Sequence, residues 1–282
     1  MKKRLDIHEG IIIGFVLFTL MAIFIPGEGL DDLILALLSV SSFLFGIFVA
    51  FSISDRQGRL KEIRTILRGD DGALINIYEL SKVFGKDVGE KAKKLIDNWL
   101  TSTIDYDLSE FQKSEPKFLK LFKYIRDLNP KTQKQKVIYG ELLEILEDTN
   151  KNNQKMTYLV NDRISTFEWG TILVLGVIIL FCLFFINANT WPAITIIVLL
   201  SVALISILLV LRDLDTLFWK EQKWIWSPLS ELFKELDLLP YYAEELVTLK
   251  RVKIKKGSKY RTGVFKGKYP NRKKIKTIIC TA

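Results

Sequence analysis

Histidine and cysteine are almost missing from this chain, and with them most of the chemistry they support. His8 is the only histidine in 282 residues, and Cys182 and Cys280 are the only cysteines. A multi-histidine metal centre is excluded within one chain, and a catalytic triad would have to use His8. One cysteine lies inside an apolar run and the other near the C-terminus, which makes neither a disulfide framework nor a metal-ligand spacing. There is no phosphate-binding glycine loop, no internal repeat of fixed period and no low-complexity linker. No catalytic residue, metal ligand or cofactor is expected.

A second absence is more informative. Four stretches, Ile11 to Ile25, Leu33 to Ile53, Trp169 to Ile186 and Trp191 to Leu211, contain no Asp, Glu, Lys, Arg or His. About 20 apolar residues in a helix cross the ~30 Å hydrocarbon core of a bilayer. The second and fourth stretches meet that length; the first and third need a few flanking residues. This is the pattern of an integral membrane protein. The totals, 49% hydrophobic residues and a net charge of +9, average over apolar spans and a charged remainder. Met1-Lys2-Lys3-Arg4 before an apolar run is the start of a signal-peptide pattern. However, Pro26-Gly27-Glu28-Gly29 lacks a small-x-small cleavage site, and the next span follows at once. A retained hairpin is expected.

Basic residues set the orientation. Lys2, Lys3 and Arg4 precede the first span; Arg56, Arg59, Lys61, Arg64 and Arg68 follow the second. Arg163 precedes the third, and Arg212, Lys220 and Lys223 follow the fourth. The short hairpins Pro26–Asp32 and Asn187–Thr190 hold no Lys or Arg. Positive charge near span ends stays in the cytoplasm. Both termini and residues 54–166 are therefore expected on the cytoplasmic side of a plasma membrane, with both hairpins outside. Trp169 and Trp191 stand at opposite ends of the third span and its hairpin, where interfacial tryptophans belong.

The fold expected is mainly α: four transmembrane helices, a helical cytoplasmic domain and a small C-terminal tail of two or three short strands. The divisions are 1–53, 54–166, 167–211 and 212–282. The second span continues past the membrane through Leu60, Ile63 and Leu67 to a break at Gly69-Asp70-Asp71-Gly72. A short helix covers Ala73 to Phe84. Asp87 to Glu90 has capping-box spacing and opens a helix to about Ile104. Ser114-Glu115-Pro116 opens another, with Pro130 beyond its end. From Thr132 one long helix feeds into the third span, either unbroken or interrupted by a kink or loop near Thr149–Asn153. Trp226-Ser227-Pro228 caps a short helix ending near Pro240. From Lys250 onward there are thirteen Lys or Arg and no Asp or Glu, alternating loosely with apolar residues at Val252, Ile254, Gly263–Phe265 and Ile275–Ile279.

In the second span Ser39, Ser42, Gly46 and Ala50 form a stripe of small residues. Such a stripe lets helices approach closely, either around a pore or in ordinary bundle packing. In an oligomer, Glu28, Asp31 and Asp32 of the outer hairpin would ring the outer mouth and favour cations; acidic loops are also what the positive-inside rule leaves outside. Phe218 to Trp226, aromatic and basic, suits either the membrane interface or burial against helices. The basic tail suits anionic lipid or plain solvation. No nucleic-acid module is recognisable, so no nucleic-acid partner is expected.

The segment Ser42-Phe43-Leu44-Phe45-Gly46-Ile47-Phe48-Val49 resembles the second-helix neck of bestrophins. The wider chain resembles the bestrophin-like prokaryotic membrane family over roughly residues 10–245. The resemblance includes Phe51–Arg56 leading to Arg59, Leu60 and Arg64, and also Leu211–Asp215, Trp224–Trp226 and Leu236–Tyr241. It implies a homo-oligomeric, pentameric ion channel lined by the second helix, with permeant inorganic ions and membrane lipid as its other partners. Carried over, the apolar neck is Ser39, Phe43 and Ile47, and Ser42, Gly46 and Ala50 pack helices. Ser39 stands where the family has a larger apolar residue, and Ile47 where it often has an aromatic. Of the acidic run that clasps calcium after the fourth helix, only Asp213 and Asp215 remain. The rival readings are a non-conducting scaffold or sensor that signals through its cytoplasmic helices and, third, a membrane enzyme.

Overall fold

The computed structural model describes residues 7–106, 108–217, 231–243, 247, 252, 254–265 and 272–279. The four apolar runs lie in α1 (Ile7–Phe24), α2 (Asp32–Ser81), α6 (Thr166–Phe185) and α7 (Trp191–Thr216). Each is long and apolar enough to cross a membrane. Between them come α3 (Lys86–Asp105), α4 (Glu115–Arg126) and α5 (Gln133–Asn161), with 3-10 turns at Lys82–Phe84 and Leu108–Ser114. The strands are β1 (Tyr241–Tyr242), β2 (Lys259–Phe265) and β3 (Arg272–Ile279). The chain divides into two compact units, residues 1–60 with 163–218 and residues 61–162 with 219–282.

In the first unit α1 packs along α7, and α6 packs on α7 and α2. Lipid tails are as apolar as leucine, so close van der Waals packing must hold such helices together. Phe18, Ala22, Phe45, Val49, Ile172, Ile179, Leu183, Ile197, Leu204 and Leu211 form the shared core. The remaining faces are apolar and exposed, from Ile12 and Phe15 on α1 to Leu199 and Val210 on α7. That is the surface expected of a helix bundle solvated by hydrocarbon or by its own copies.

In the second unit Trp99 of α3 meets Phe118 of α4 with ring centroids 4.9 Å apart. Ile63, Leu74 and Ile77 of α2, Leu121 and Ile125 of α4, and Leu142 and Leu146 of α5 are fully buried. The three-stranded sheet has the order β1-β2-β3, parallel then antiparallel, with Gly263 opposite Ile275. Arg261 of β2 makes a bidentate pair with Asp97 of α3 at 2.7 and 2.8 Å and donates to the Leu239 carbonyl. A bidentate, half-desolvated pair of this kind fixes geometry as well as adding energy.

Several local expectations change. α2 does not break at Gly69–Gly72 but runs unbroken for 50 residues. Two glycines cost about 1 kcal/mol each relative to alanine in a helix, and the buried stripe Ile63, Ile66, Leu74 and Ile77 outweighs them. α5 likewise passes straight through the asparagine cluster. Its interruption falls at 162–165, where the chain passes between units. Asp87 and Glu90 form no capping box: α3 starts at Lys86 behind Gly85, whose φ of 129° is open to glycine and gives no side-chain cap. The true capping box is Thr132 with Gln135 at the start of α5. Strands form over Lys259–Phe265 and Arg272–Ile279, whereas Val252 and Ile254 lie outside them; β1 precedes the basic tail. The aromatic segment 218–226, the cap at 226–228 and Cys280 lie outside the described residues.

Candidate functional site

The membrane-spanning half of α2 carries two faces. Ser41, Phe45, Val49, Ser52 and Arg56 are buried within the chain. Phe45 and Leu204 close around Gly176, where an added Cβ would stand 3.7 and 3.6 Å from them. At ~100° per residue, Ser39, Phe43 and Ile47 lie nearly opposite that buried face. Phe43 is 67% exposed and Ile47 38%, and Ser39 is exposed with its hydroxyl donating to the Leu35 carbonyl at 2.9 Å. The small residues Ser42, Gly46 and Ala50 are also exposed, and among the described residues no other element comes within 4 Å of a Cβ built at Gly46. Among the described residues their stripe is left open.

Both ends of this bundle are pinned by polar contacts. At the Arg56 end Asp215 is buried. Its Oδ1 accepts from the Ile164 backbone N–H at 2.8 Å and its Oδ2 from the Trp169 indole at 3.4 Å. The Arg56 guanidinium stands 3.8 Å from Oδ1, and Arg59 donates to the Asp215 carbonyl at 2.9 Å. Ser52 donates to Glu168 at 2.6 Å. Asp215, one of the two acidic residues noted after the fourth span, thus gathers α2, the start of α6 and the end of α7 around an arginine. Asp213 pairs with Arg212 at 2.7 Å. Among the described residues no three His, Cys, Asp or Glu side chains gather as a metal site would require.

At the other end the two hairpins meet. Asn187, 1% exposed, donates to the carbonyls of Ala22 and Ile25, and the Glu28 N–H reaches the Phe185 carbonyl at 2.9 Å. Gly27 lies so close that a Cβ there would stand 2.7 Å from the Phe185 oxygen. Glu28, Asp31 and Asp32 remain exposed on this hairpin, and Asp31 caps α2 by accepting from the Ile34 N–H at 3.0 Å. Asn187 and Gly27 escape the sequence reading because their roles depend on two hairpins meeting across some 160 residues; a lone asparagine beside an apolar run is the only signal.

A model of the bestrophin-like domain matches residues 11–219. The chain belongs to the bestrophin-like family. Its fold is that of a bacterial bestrophin homologue from Klebsiella pneumoniae: TM-score 0.65, 13% identity, covering 82% of this chain and 100% of that one. A single-substitution variant of that homologue gives TM-score 0.64 at 13% identity, covering 80% and 98%. At such identity the likeness speaks for the fold alone. No curated protein sequence matches the chain. The bestrophin-like fold here combines four membrane-spanning helices, a helical unit and a small terminal sheet, an architecture of channel type.

Proposed function

We propose that this bestrophin-like chain is a homo-oligomeric ion channel, a pentamer, in which α2 surrounds the axis. The observation that carries the reading is the outward face of α2. In a family whose fold is of channel type, Ser39, Phe43 and Ile47 stand opposite the packed face, exposed and without a titratable group. An apolar constriction of this kind gates by dewetting. Ser42, Gly46 and Ala50, open within one chain, are the places where neighbouring α2 helices approach. Exposed Glu28, Asp31 and Asp32 then ring the outer mouth and tilt selectivity toward cations.

Residues 54–166, both termini and the C-terminal segment are cytoplasmic in this reading, because the basic clusters lie there. The basic tail meets anionic lipid, each nearby Lys or Arg contributing about 1 kcal/mol. The Asp215 carboxylate holds Arg56, the Ile164 backbone N–H and the Trp169 indole, which argues against calcium control through that residue. A non-conducting scaffold is the alternative; the same exposed faces would then serve assembly alone. Purified protein in planar bilayers decides between them. Ohmic or gated currents altered by Phe43→Ala support the channel. Silence from a stable oligomer supports the scaffold.

A further inference from the structure

The Gly69-Asp70-Asp71-Gly72 segment lies in the middle of a continuous helix, and its first carboxylate points inward. Asp70 is 6% exposed and takes its place on the buried stripe between Ile66 and Leu74. Its Oδ1 accepts from the Asn152 side-chain amide of α5 at 2.9 Å. Among the described residues Asp70 has no ion pair. The lysines flanking the asparagines on α5 are engaged elsewhere, Lys151 with Asp148 at 2.9 Å and Lys155 with Glu62 at 2.5 Å. The charges acting on this place are Asp71 beside it on α2, and around Asp71 the guanidinium of Arg68 and the carboxylate of Glu235 from the helical turn at 231–235.

We propose that Asp70, seated on Asn152 where α2 meets α5, is a proton-operated latch of the helical unit: protonated it holds the two helices together, and ionised it lets them part locally. The chemistry is one of matched hydrogen-bond groups. A neutral carboxyl offers one donor and one acceptor, and so does a primary amide. A carboxylate offers acceptors only, so it keeps the one Asn152 N–H bond but has no proton to give in return. Ionisation also leaves a buried charge with no ion-pair partner among the described residues. Burial pushes the Asp70 carboxyl up to about 7, against the Asn152 hydrogen bond that lowers it and with Asp71 raising it further. The changeover therefore falls near neutrality, where small pH changes act.

A second observation shows that the seat is finely balanced. Asn153, the next residue of α5, is also 6% exposed, and among the described residues neither its amide nitrogen nor its amide oxygen has a partner. Polar groups left unsatisfied in a buried contact weaken it, so the loss of one more favourable contact is enough to open it. The latch stands on the helical unit alone and does not depend on the channel reading.

The test is hydrogen exchange of the full-length protein in detergent at pH 6 and pH 8, corrected for intrinsic exchange rates. Peptides spanning 66–74 and 149–156 should lose about tenfold in protection at pH 8. Asp70→Asn, always neutral and still able to donate and accept, should keep the pH 6 protection at both values. Asp71→Asn should leave a pH-dependent change, because Asp70 remains. Asn152→Ala should lower protection at both pH values. Equal wild-type protection at pH 6 and 8, or a pH-dependent loss in Asp70→Asn as large as in wild type, overturns the latch. Currents recorded at the same two pH values report separately on the channel: a pH-dependent exchange change without any current supports the latch and counts against the channel.

Discussion

Asn187 donates its side-chain amide to the main-chain oxygen of Ala22 at 2.9 Å, so the hairpin before α7 caps the end of α1. The Ala22 carbonyl belongs to the last turn of α1 and the Ile25 carbonyl lies just beyond its end, where no intrahelical partner is available. Asn187→Ala leaves a buried acceptor unsatisfied, at a cost of about 1–3 kcal/mol. Thermal unfolding in detergent should fall by several degrees. Gly27→Ala should fall as well, since its Cβ would press on the Phe185 and Asn187 backbone. Unchanged melting in both variants would show that the two hairpins do not hold each other.

The arginine–aspartate clamp predicts an asymmetry. Arg56→Ala removes the guanidinium 3.8 Å from the buried Asp215 carboxylate, and with it the shorter bond to exposed Asp55, a cost on the order of 1–3 kcal/mol. Asp215→Asn removes the charge but keeps an acceptor for the Ile164 N–H. The alanine variant should therefore melt well below the asparagine variant. The reverse order would mean that the Arg56–Asp215 contact does not hold α2 to α7.

For the proposed pore, Phe43→Ala with Ile47→Ala widens and wets the neck. Single-channel conductance or vesicle leak should rise, with stability nearly unchanged because both side chains are exposed within the chain. A drop in melting temperature with no change in conductance would place these side chains in a packed interface away from the axis.

Stability should depend on pH through Asp70 and Asp71. Burial raises both above the ordinary carboxylate value of 3.8, Asp70 to about 7 and Asp71 to about 6. The folded chain thus binds protons that the unfolded chain has released between about pH 4 and pH 7. Stability is highest below that window, falls as pH rises through it and is level above. The melting temperature of Asp70→Asn should vary less over the same window. A wild-type profile that climbs from pH 5 to 7 would contradict both shifts.

Topology and assembly are tested together. Leu30→Cys, at an exposed hairpin position, should react with an impermeant maleimide applied to intact cells, and Lys134→Cys at the start of α5 should not. Mass measurement in detergent should give an oligomer. A monodisperse monomer would sink the channel, since spans without a polar interior leave one subunit no conduction path.

The four spans were legible because a chain this rich in charge rarely leaves uncharged runs of that length anywhere but in a membrane. The terminal strands were legible in part, since Gly263–Phe265 and Ile275–Ile279 alternate apolar and basic residues. What failed were the breaks. Gly69–Gly72 and Thr149–Asn153 carry the composition of loops, but each lies on a stripe whose other members are buried, and tertiary packing overrides a modest local penalty. The carry-over of Ser39, Phe43 and Ile47 named a face that the structure leaves open. Arg56, Arg59 and Asp215 were legible only as a resemblance; their convergence needs α2, α6 and α7 already in place. Asn187 was illegible for the same reason.

The unbroken course of α2 has a mechanical consequence. At about 1.5 Å per residue, the stretch from Ile63 to Ile77 is a stave of roughly 21 Å within the helical unit. Had Gly69–Gly72 been a joint, the two halves of that stave could have turned separately. With the helix whole, Ile63 and Ile77 move as one, and a shift at either end of the buried stripe is felt at the other.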